Sequence, residues 1–358
     1  MLQWTPSEDR PLPPLVAVRR GPLVEALHRG AVVVADGQGR VVAHVGDPEY
    51  VTYMRSSAKP LQLLAMVESG AADRFGFAPE ELACMAGSHS GSRRHVETVA
   101  RSLARLGLDA SALACGVHPP FDPEEQKRLQ AEGLAPSPLH NNCSGKHTGM
   151  LALAQHRGWP TEGYERPDHP VQVRIREVLA QMAGFPAEEI VLGTDGCSVP
   201  VHALPLRAAA TAFARLVDPQ GLPPSLAEAC RRVVAAMVAH PEMVAGEGRL
   251  CTLLMRAWPG RLVAKAGAEG YYAVGILPGA LGNGNPGLGL VVKLEDGDGR
   301  RGRDPALLEA LRLLGVYGGD LPPTLAPLGN RPLTNHRGLT VGTIETTFTL
   351  NWEGVRRW

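Results

Sequence analysis

The chain has no run of about 18 apolar residues, so it has nothing from which to build a membrane-spanning helix. It also lacks an excess of charge of either sign. The 36 Lys and Arg residues balance 36 Asp and Glu, nothing steers a polyanion, and nucleic acid is not an expected partner. Its opening, MLQWTPSEDRPLPP, has neither a basic start nor an apolar core segment, and the expectation is a cytoplasmic protein with no export address. Internal repeats and low-complexity tracts are missing, and no Pro/Gly stretch is long or polar enough to link two independent domains. What is present is 358 residues, 44% hydrophobic and 20% charged, which is enough to bury a large core.

Lysine is the scarcest basic residue. There are five (Lys59, Lys127, Lys146, Lys265 and Lys293) against 31 arginines, so Arg supplies the surface positive charge. A lysine kept in such a background is a candidate for chemistry that Arg cannot do, because an ammonium can lose its proton when desolvated and a guanidinium cannot. Cysteine is modest too: six in a chain this long, with no export signal, read as reduced thiols. Cys84, Cys115, Cys230 and Cys251 lie in apolar or helical stretches, as small core residues do. Cys143 and Cys197 stand instead in short polar, Gly-bearing segments, Asn141–His147 and Thr194–Ser198, as expected of exposed or site-lining thiols.

Period-2 and continuous apolar runs predict strands at Leu15–Val18, Ala31–Ala35 and Arg40–Val45, the last two joined as a hairpin through Asp36-Gly37-Gln38-Gly39. A helix is predicted from Ser56 to the stop at Gly70. Between about 79 and 258 the periodic segments are helical: 93–106, 146–156, 170–183, 205–217 and 225–239. Strands return at Arg261–Ala266, Tyr271–Leu277 and Leu288–Leu294, with a last one near Leu339–Ile344. The economical reading is an α/β (α+β) fold: one antiparallel sheet built from both chain ends, residues 1–60 and 259–358, and a mostly helical body over 61–258, together one catalytic unit.

Three segments carry chemistry. Ser56-Ser57-Ala58-Lys59 places a hydroxyl and an amine one helical turn apart on one face, where a desolvated Lys can take the Ser proton. Chance would supply about 0.2 such Ser-x-x-Lys spacings in this composition, and the competing reading is a cap serine followed by a surface lysine. Gly87-Ser88-His89-Ser90-Gly91 presents hydroxyls from a turn between helices, although helix caps with flexible glycines look the same. Lys265-Ala266-Gly267 ends a strand and means little alone. In this order and setting, the three resemble the Ser-x-x-Lys, Ser-x-Asn and Lys-Thr-Gly motifs of penicillin-binding proteins and serine β-lactamases, with Ser90 and Ala266 as departures.

A narrower resemblance accounts for those departures. Arg55-Ser56-Ser57-Ala58-Lys59-Pro60, Ser88-His89-Ser90-Gly91, His140-Asn141-Asn142-Cys143-Ser144-Gly145-Lys146-His147, Asp195-Gly196-Cys197 and Lys265-Ala266-Gly267 look like the rhizobial-type (class 3) L-asparaginases, over roughly residues 15 to 350. The resemblance implies a β-lactamase-like fold, two Ser-Lys pairs (Ser56 with Lys59, Ser88 with Lys265), and zinc held by Cys143, Lys146 and Cys197. It also implies a homodimer acting on a small amino acid amide, with Arg55, His147 and Asp195 binding substrate. From the residues alone, two thiolates are a good start for zinc, whereas a neutral Lys is a rare ligand and a pair of free site-lining thiols remains open. Two alternatives also remain: a Ser-Lys acyl hydrolase for glutamine, a peptide, an ester or a β-lactam, and a catalytically silent ligand or zinc sensor on the same fold.

Overall fold

The computed structural model describes residues 12–282 and 284–354; most of the opening segment, on which the expectation of no export address rests, lies outside them. Twelve strands occur among the described residues. They are β1 (Pro14–Arg20), β2 (Leu23–Asp36), β3 (Val41–Val45), β4 (Val51–Tyr53), β5 (Val191–Thr194), β6 (Pro200–Pro205), β7 (Leu262–Ala266), β8 (Tyr271–Ile276), β9 (Leu288–Leu294), β10 (Arg331–Thr334), β11 (Thr340–Thr346) and β12 (Asn351–Trp352). The α-helices begin with α1 (Lys59–Glu68), α2 (Ala71–Arg74), α3 (Pro79–Met85), α4 (Arg93–Arg105), α5 (Pro123–Ala131) and α6 (Ser144–Arg157). They continue with α7 (Pro170–Ala183), α8 (Leu206–Val217), α9 (Pro224–Ala239), α10 (Pro241–Val244), α11 (Leu250–Ala257) and α12 (Asp304–Leu314). No helix among the described residues is long and apolar enough to cross a membrane.

Strands from both chain ends form one antiparallel sheet, in the order β10-β11-β1-β2-β9-β8-β7, with β3 on β2 and β12 on β3. β2 is where this sheet divides. Its first half pairs with β1 and is largely exposed, whereas Ala31–Ala35 is a continuous apolar run, wholly buried between β3 and β9. α8 covers the sheet across β2, β8 and β9, and Gly289 permits the approach because a Cβ there would overlap the carbonyl of Ala210.

The helical body surrounds α1, which is buried from Lys59 to Val67 and packs among α6, α7 and α9. A helix apolar on nearly every side can only be a core helix. It begins at Lys59 and not at Ser56 as predicted, because Pro60 has no N–H and fits only the first turn; Arg55–Ala58 form a 3-10 turn ahead of it. A second departure is a three-stranded sheet, β4-β6-β5, two of whose strands, β5 and β6, lie inside the stretch read as helical. Strands of three, four and six residues, β6 bounded by Pro200 and Pro205, are too short to show a period.

Gly289→Ala should destabilise the protein by about 2–3 kcal/mol, because the strand and α8 must part, whereas Gly318→Ala, where a Cβ meets nothing within 4 Å, should stay within about 0.5 kcal/mol. Chemical denaturation of both variants measures the difference; equal stabilities would mean that the crossing can yield.

Candidate active site

The 3-10 turn carries Ser56 at the mouth of a cleft, half-buried, with no hydrogen bond from its hydroxyl to any described residue. One turn on, Lys59 is 1% exposed and lines the same cleft. Its amine donates to the carbonyl of Asn142 (3.1 Å) and reaches the Cys143 sulfur. The late strand is drawn in beside them: a Cβ on Gly267 would stand 2.8 Å from the Met54 carbonyl, so the end of β7 lies against the residues that lead into Ser56.

The second Ser-Lys pair is formed across 177 positions. Lys265, on β7 and fully enclosed, donates from Nζ to Ser88 Oγ (2.9 Å) and to the Ala266 carbonyl (2.9 Å). Burial lowers its pKa to about 7, so an appreciable fraction is neutral at physiological pH. The Ser88 turn is pinned from behind. Ser88 N–H donates to Val244 O (2.8 Å), and Gly87 is pressed so closely to that carbonyl that a Cβ would lie 2.6 Å from it. His89 accepts from Gly91 N–H at Nδ1 and so donates from Nε2 to Ser144 Oγ (2.9 Å), and it stacks on His95 with centroids 4.9 Å apart.

Cys143 and Cys197 converge from either side of the cleft, as the polar turns suggested, but both are buried, not exposed. Cys143 Sγ lies 3.0 Å from Asn142 Oδ1 and Cys197 Sγ lies 3.7 Å from Asp195 Oδ2, and the two thiols influence each other's charge. The Cys197 thiol holds Cys143 well below the usual thiol range, aided by Lys59 and Lys146, and Cys197 is correspondingly pushed up. Lys146 donates to the Cys197 sulfur at 2.9 Å, and although burial opposes its charge the two sulfurs raise it. No group of three or more His, Cys, Asp or Glu side chains suited to a metal ion occurs among the described residues, so a third protein donor here has to be Lys146. Ligands on a tetrahedral zinc, with Zn–S near 2.3 Å and Zn–N near 2.0 Å, stand roughly 3.5 Å apart. For zinc to be held there, Lys146 would have to lose the proton that the two sulfurs favour and draw back by about half an ångström.

Arg55 and Asp195 are each other's partners, with Arg55 Nε at 3.1 Å from the carboxylate and a weaker pairing to Glu269 at 3.7 Å. Burial pushes the Asp195 carboxyl up, but Lys146 and Arg55 outweigh it and hold it below its usual value. Among the described non-glycine residues only Arg55 (φ 51°), Ser198 (φ 76°) and Glu269 (φ 55°) have left-handed backbones, and all three lie at this cleft or beside its cysteine; such strain collects at functional sites. His147 is placed elsewhere: it is wholly buried behind the cleft, its Nδ1 bonded to the Tyr164 hydroxyl at 2.6 Å. Sequence reasoning missed two polar cleft residues, Gln62 and His202, along with the apolar Pro200 and Val201. Gln62 lies two turns beyond Ser56 and could have been read from helical spacing; His202, on a short strand, offered no signal.

A family model described as L-asparaginase II matches residues 16–346. No curated protein matches the sequence. Among solved structures, Mglu in its glutamate form is 18% identical over 86% of this chain and 67% of its own, with a TM-score of 0.43. A β-lactamase (Mb2281c) from Mycobacterium bovis is 14% identical over 80% and 95%, with a TM-score of 0.42. A probable glutaminase of Bacillus subtilis is 14% identical over 80% and 89%, with a TM-score of 0.38.

The site region holds four buried histidines whose pKa burial drives down: His95 and His202 to about 4, His89 and His147 well below 6.5. Each is neutral when folded and takes a proton when unfolded below about pH 6.5, so stability should be intact above that pH and fall as pH drops towards 4. Melting temperature against pH tests this. His95→Gln should make the slope between pH 6.5 and 4 shallower, and an unchanged slope would show that His95 is not part of the linkage.

Proposed function

This chain belongs to the L-asparaginase II family and is an amidohydrolase, and we propose that it hydrolyses L-asparagine to L-aspartate and ammonia through an acyl-serine on Ser56. The observation that carries the reading is the pair of Ser-Lys sites, one with a free, accessible hydroxyl at Ser56 and the other a closed hydrogen bond between Ser88 and a Lys265 able to be neutral. Accessibility favours Ser56 for attack; enclosure suits Ser88 and Lys265 to moving protons.

Lys59 takes the Ser56 proton as Oγ bonds to the side-chain carbonyl carbon. The C–N bond then breaks, and ammonia leaves with a proton relayed through Ser88 and Lys265. Water attacks the acyl carbon, the Oγ–C bond breaks, and the Ser56 proton is restored. The oxyanion needs N–H donors in place before charge develops. The N–H of Ala266, at the end of β7, is spent on the Cys251 sulfur (3.2 Å) and that of Gly267, just past it, on Tyr271 O (2.9 Å), so the donors would be the N–H groups of Ser56 and Ala268. Arg55 and Asp195 would exchange their mutual ion pair for the α-carboxylate and α-amine of the substrate.

Cys143, Lys146 and Cys197 would hold zinc. Bound there, the ion supplies fixed positive charge that keeps both sulfurs deprotonated.

Ser56→Ala should lower kcat by on the order of 10³-fold or more in coupled ammonia release, with melting temperature preserved. Lys59→Arg should be nearly as damaging as Lys59→Ala, because Arg keeps the charge but cannot act as a base. Near wild-type turnover in Ser56→Ala would remove it as nucleophile, and an active Lys59→Arg would reduce Lys59 to a charge.

Metal analysis of protein purified without chelator should find zinc, and Cys143→Ser combined with Cys197→Ser should lose it. The melting temperature should change little, because the core does not depend on the ion. Zinc retained by the double variant would place it elsewhere.

A further inference from the structure

The charged groups of the cleft are all engaged: Arg55 with Asp195, Lys59 with the Asn142 carbonyl, Lys146 with the Cys197 sulfur. Two neutral ones are not. His202 is 1% exposed, and neither of its ring nitrogens has a hydrogen-bond partner or contact with solvent. Gln62 is 7% exposed and its carboxamide makes no hydrogen bond to any described residue, although its polar atoms, unlike the His202 nitrogens, keep some contact with solvent. Both line the cleft with Ser56 and Lys59. Their positions are rigidly set: Gln62 stands one turn beyond Lys59 on the buried α1, and the His202 backbone carbonyl accepts from Met54 N–H (3.0 Å), two residues before Ser56.

Buried donors and acceptors without partners are costly, and a native protein rarely leaves both nitrogens of a buried imidazole this way, beside an amide with no protein partner, unless something else completes them. Together they offer donors and acceptors without formal charge: an N–H and a bare nitrogen from the neutral imidazole, an NH₂ and a carbonyl from the amide. A primary carboxamide satisfies both kinds, since its carbonyl accepts and its NH₂ donates. A carboxylate only accepts, and would leave the Gln62 carbonyl and the bare imidazole nitrogen unpaired. A site built to hydrogen-bond a polar group rejects the analogue that cannot complete it.

We infer that Gln62 and His202 form the subsite that receives the substrate's side-chain carboxamide and selects the amide over the acid it becomes. The inference rests on the asparaginase reading and deepens it. Both are specificity residues of the cleft, distinct in role from the proton-transferring pairs.

Binding measured by calorimetry in Ser56→Ala protein tests the subsite apart from turnover. L-Asparagine, L-glutamine and L-aspartate are the probes. His202→Phe, which keeps an aromatic ring but no polar atom, and Gln62→Leu should each weaken binding of the amide by at least about 10-fold while aspartate changes by less than about 2-fold. His202→Asn, which retains a donor and an acceptor, should restore amide binding to within about 3-fold. Equal losses for amide and acid, or no loss for either, would overturn the inference, as would an Asn variant as impaired as the Phe variant. With the nucleophile intact, His202→Phe should lower kcat/KM for the amide by at least about 10-fold. A wild-type enzyme that releases no ammonia from either amide would defeat the asparaginase reading, while the binding ratio still decides the subsite.

Discussion

Three of the five lysines are buried in one region, and the site is organised around keeping those amines from paying for burial and mutual repulsion at once. Lys59, Lys146 and Lys265 are each 5% exposed or less, with Asp195 as the acid of the cleft. Each meets the constraint differently. Lys146 keeps its proton against the paired sulfurs, Lys59 rests on a backbone carbonyl and the Cys143 sulfur, and Lys265 yields part of its charge to desolvation. The same crowding that would be a defect in a core makes one amine available as a base. It also explains why arginine could not serve at these positions in a chain that uses arginine nearly everywhere else.

The fold supplies the walls that hold this arrangement. α1 is enclosed by other helices along its length, so the spacing of Ser56, Lys59 and Gln62 is set by a helix that cannot shift without disturbing the core. β7 brings Lys265 to the Ser88 turn, and the Val244 carbonyl fixes that turn from the opposite side. The small β4-β6-β5 sheet ties His202 to the backbone entering Ser56. Three strained residues, Arg55, Ser198 and Glu269, show where the backbone has been bent to fit the site. Arg55 in particular aims its guanidinium at Asp195 from a conformation that few residues other than glycine adopt.

The thiol pair shows how far local context can be trusted. The polar, glycine-bearing turns around Cys143 and Cys197 set them apart in the sequence from the other four cysteines, yet all six are buried and belong to one apolar cluster. The turns did not reveal burial: they fold inward over the cleft, and an amine from a neighbouring helix replaces water. The same limit applies to His147, which shares a string with Lys146. Adjacent positions on a helix point about 100° apart, so one faces the cleft and the other Tyr164.

What the sequence by itself determined is whatever repeats locally or depends on residue type: the apolar periods of the helical body, the strand runs at both ends, and the few lysines and thiols able to do chemistry. These follow from short-range sterics and from side-chain chemistry that no packing alters. Only the tertiary structure decided which of these groups meet. Ser88 and Lys265 are 177 positions apart and Arg55 and Asp195 are 140 apart, and no period in the chain records such pairings. The two unpartnered side chains of Gln62 and His202 were equally invisible, since being unpartnered is a property of the surroundings. Their pairing in one cleft wall follows from how a buried helix and a three-stranded sheet are packed together, and packing is a sum over the whole chain.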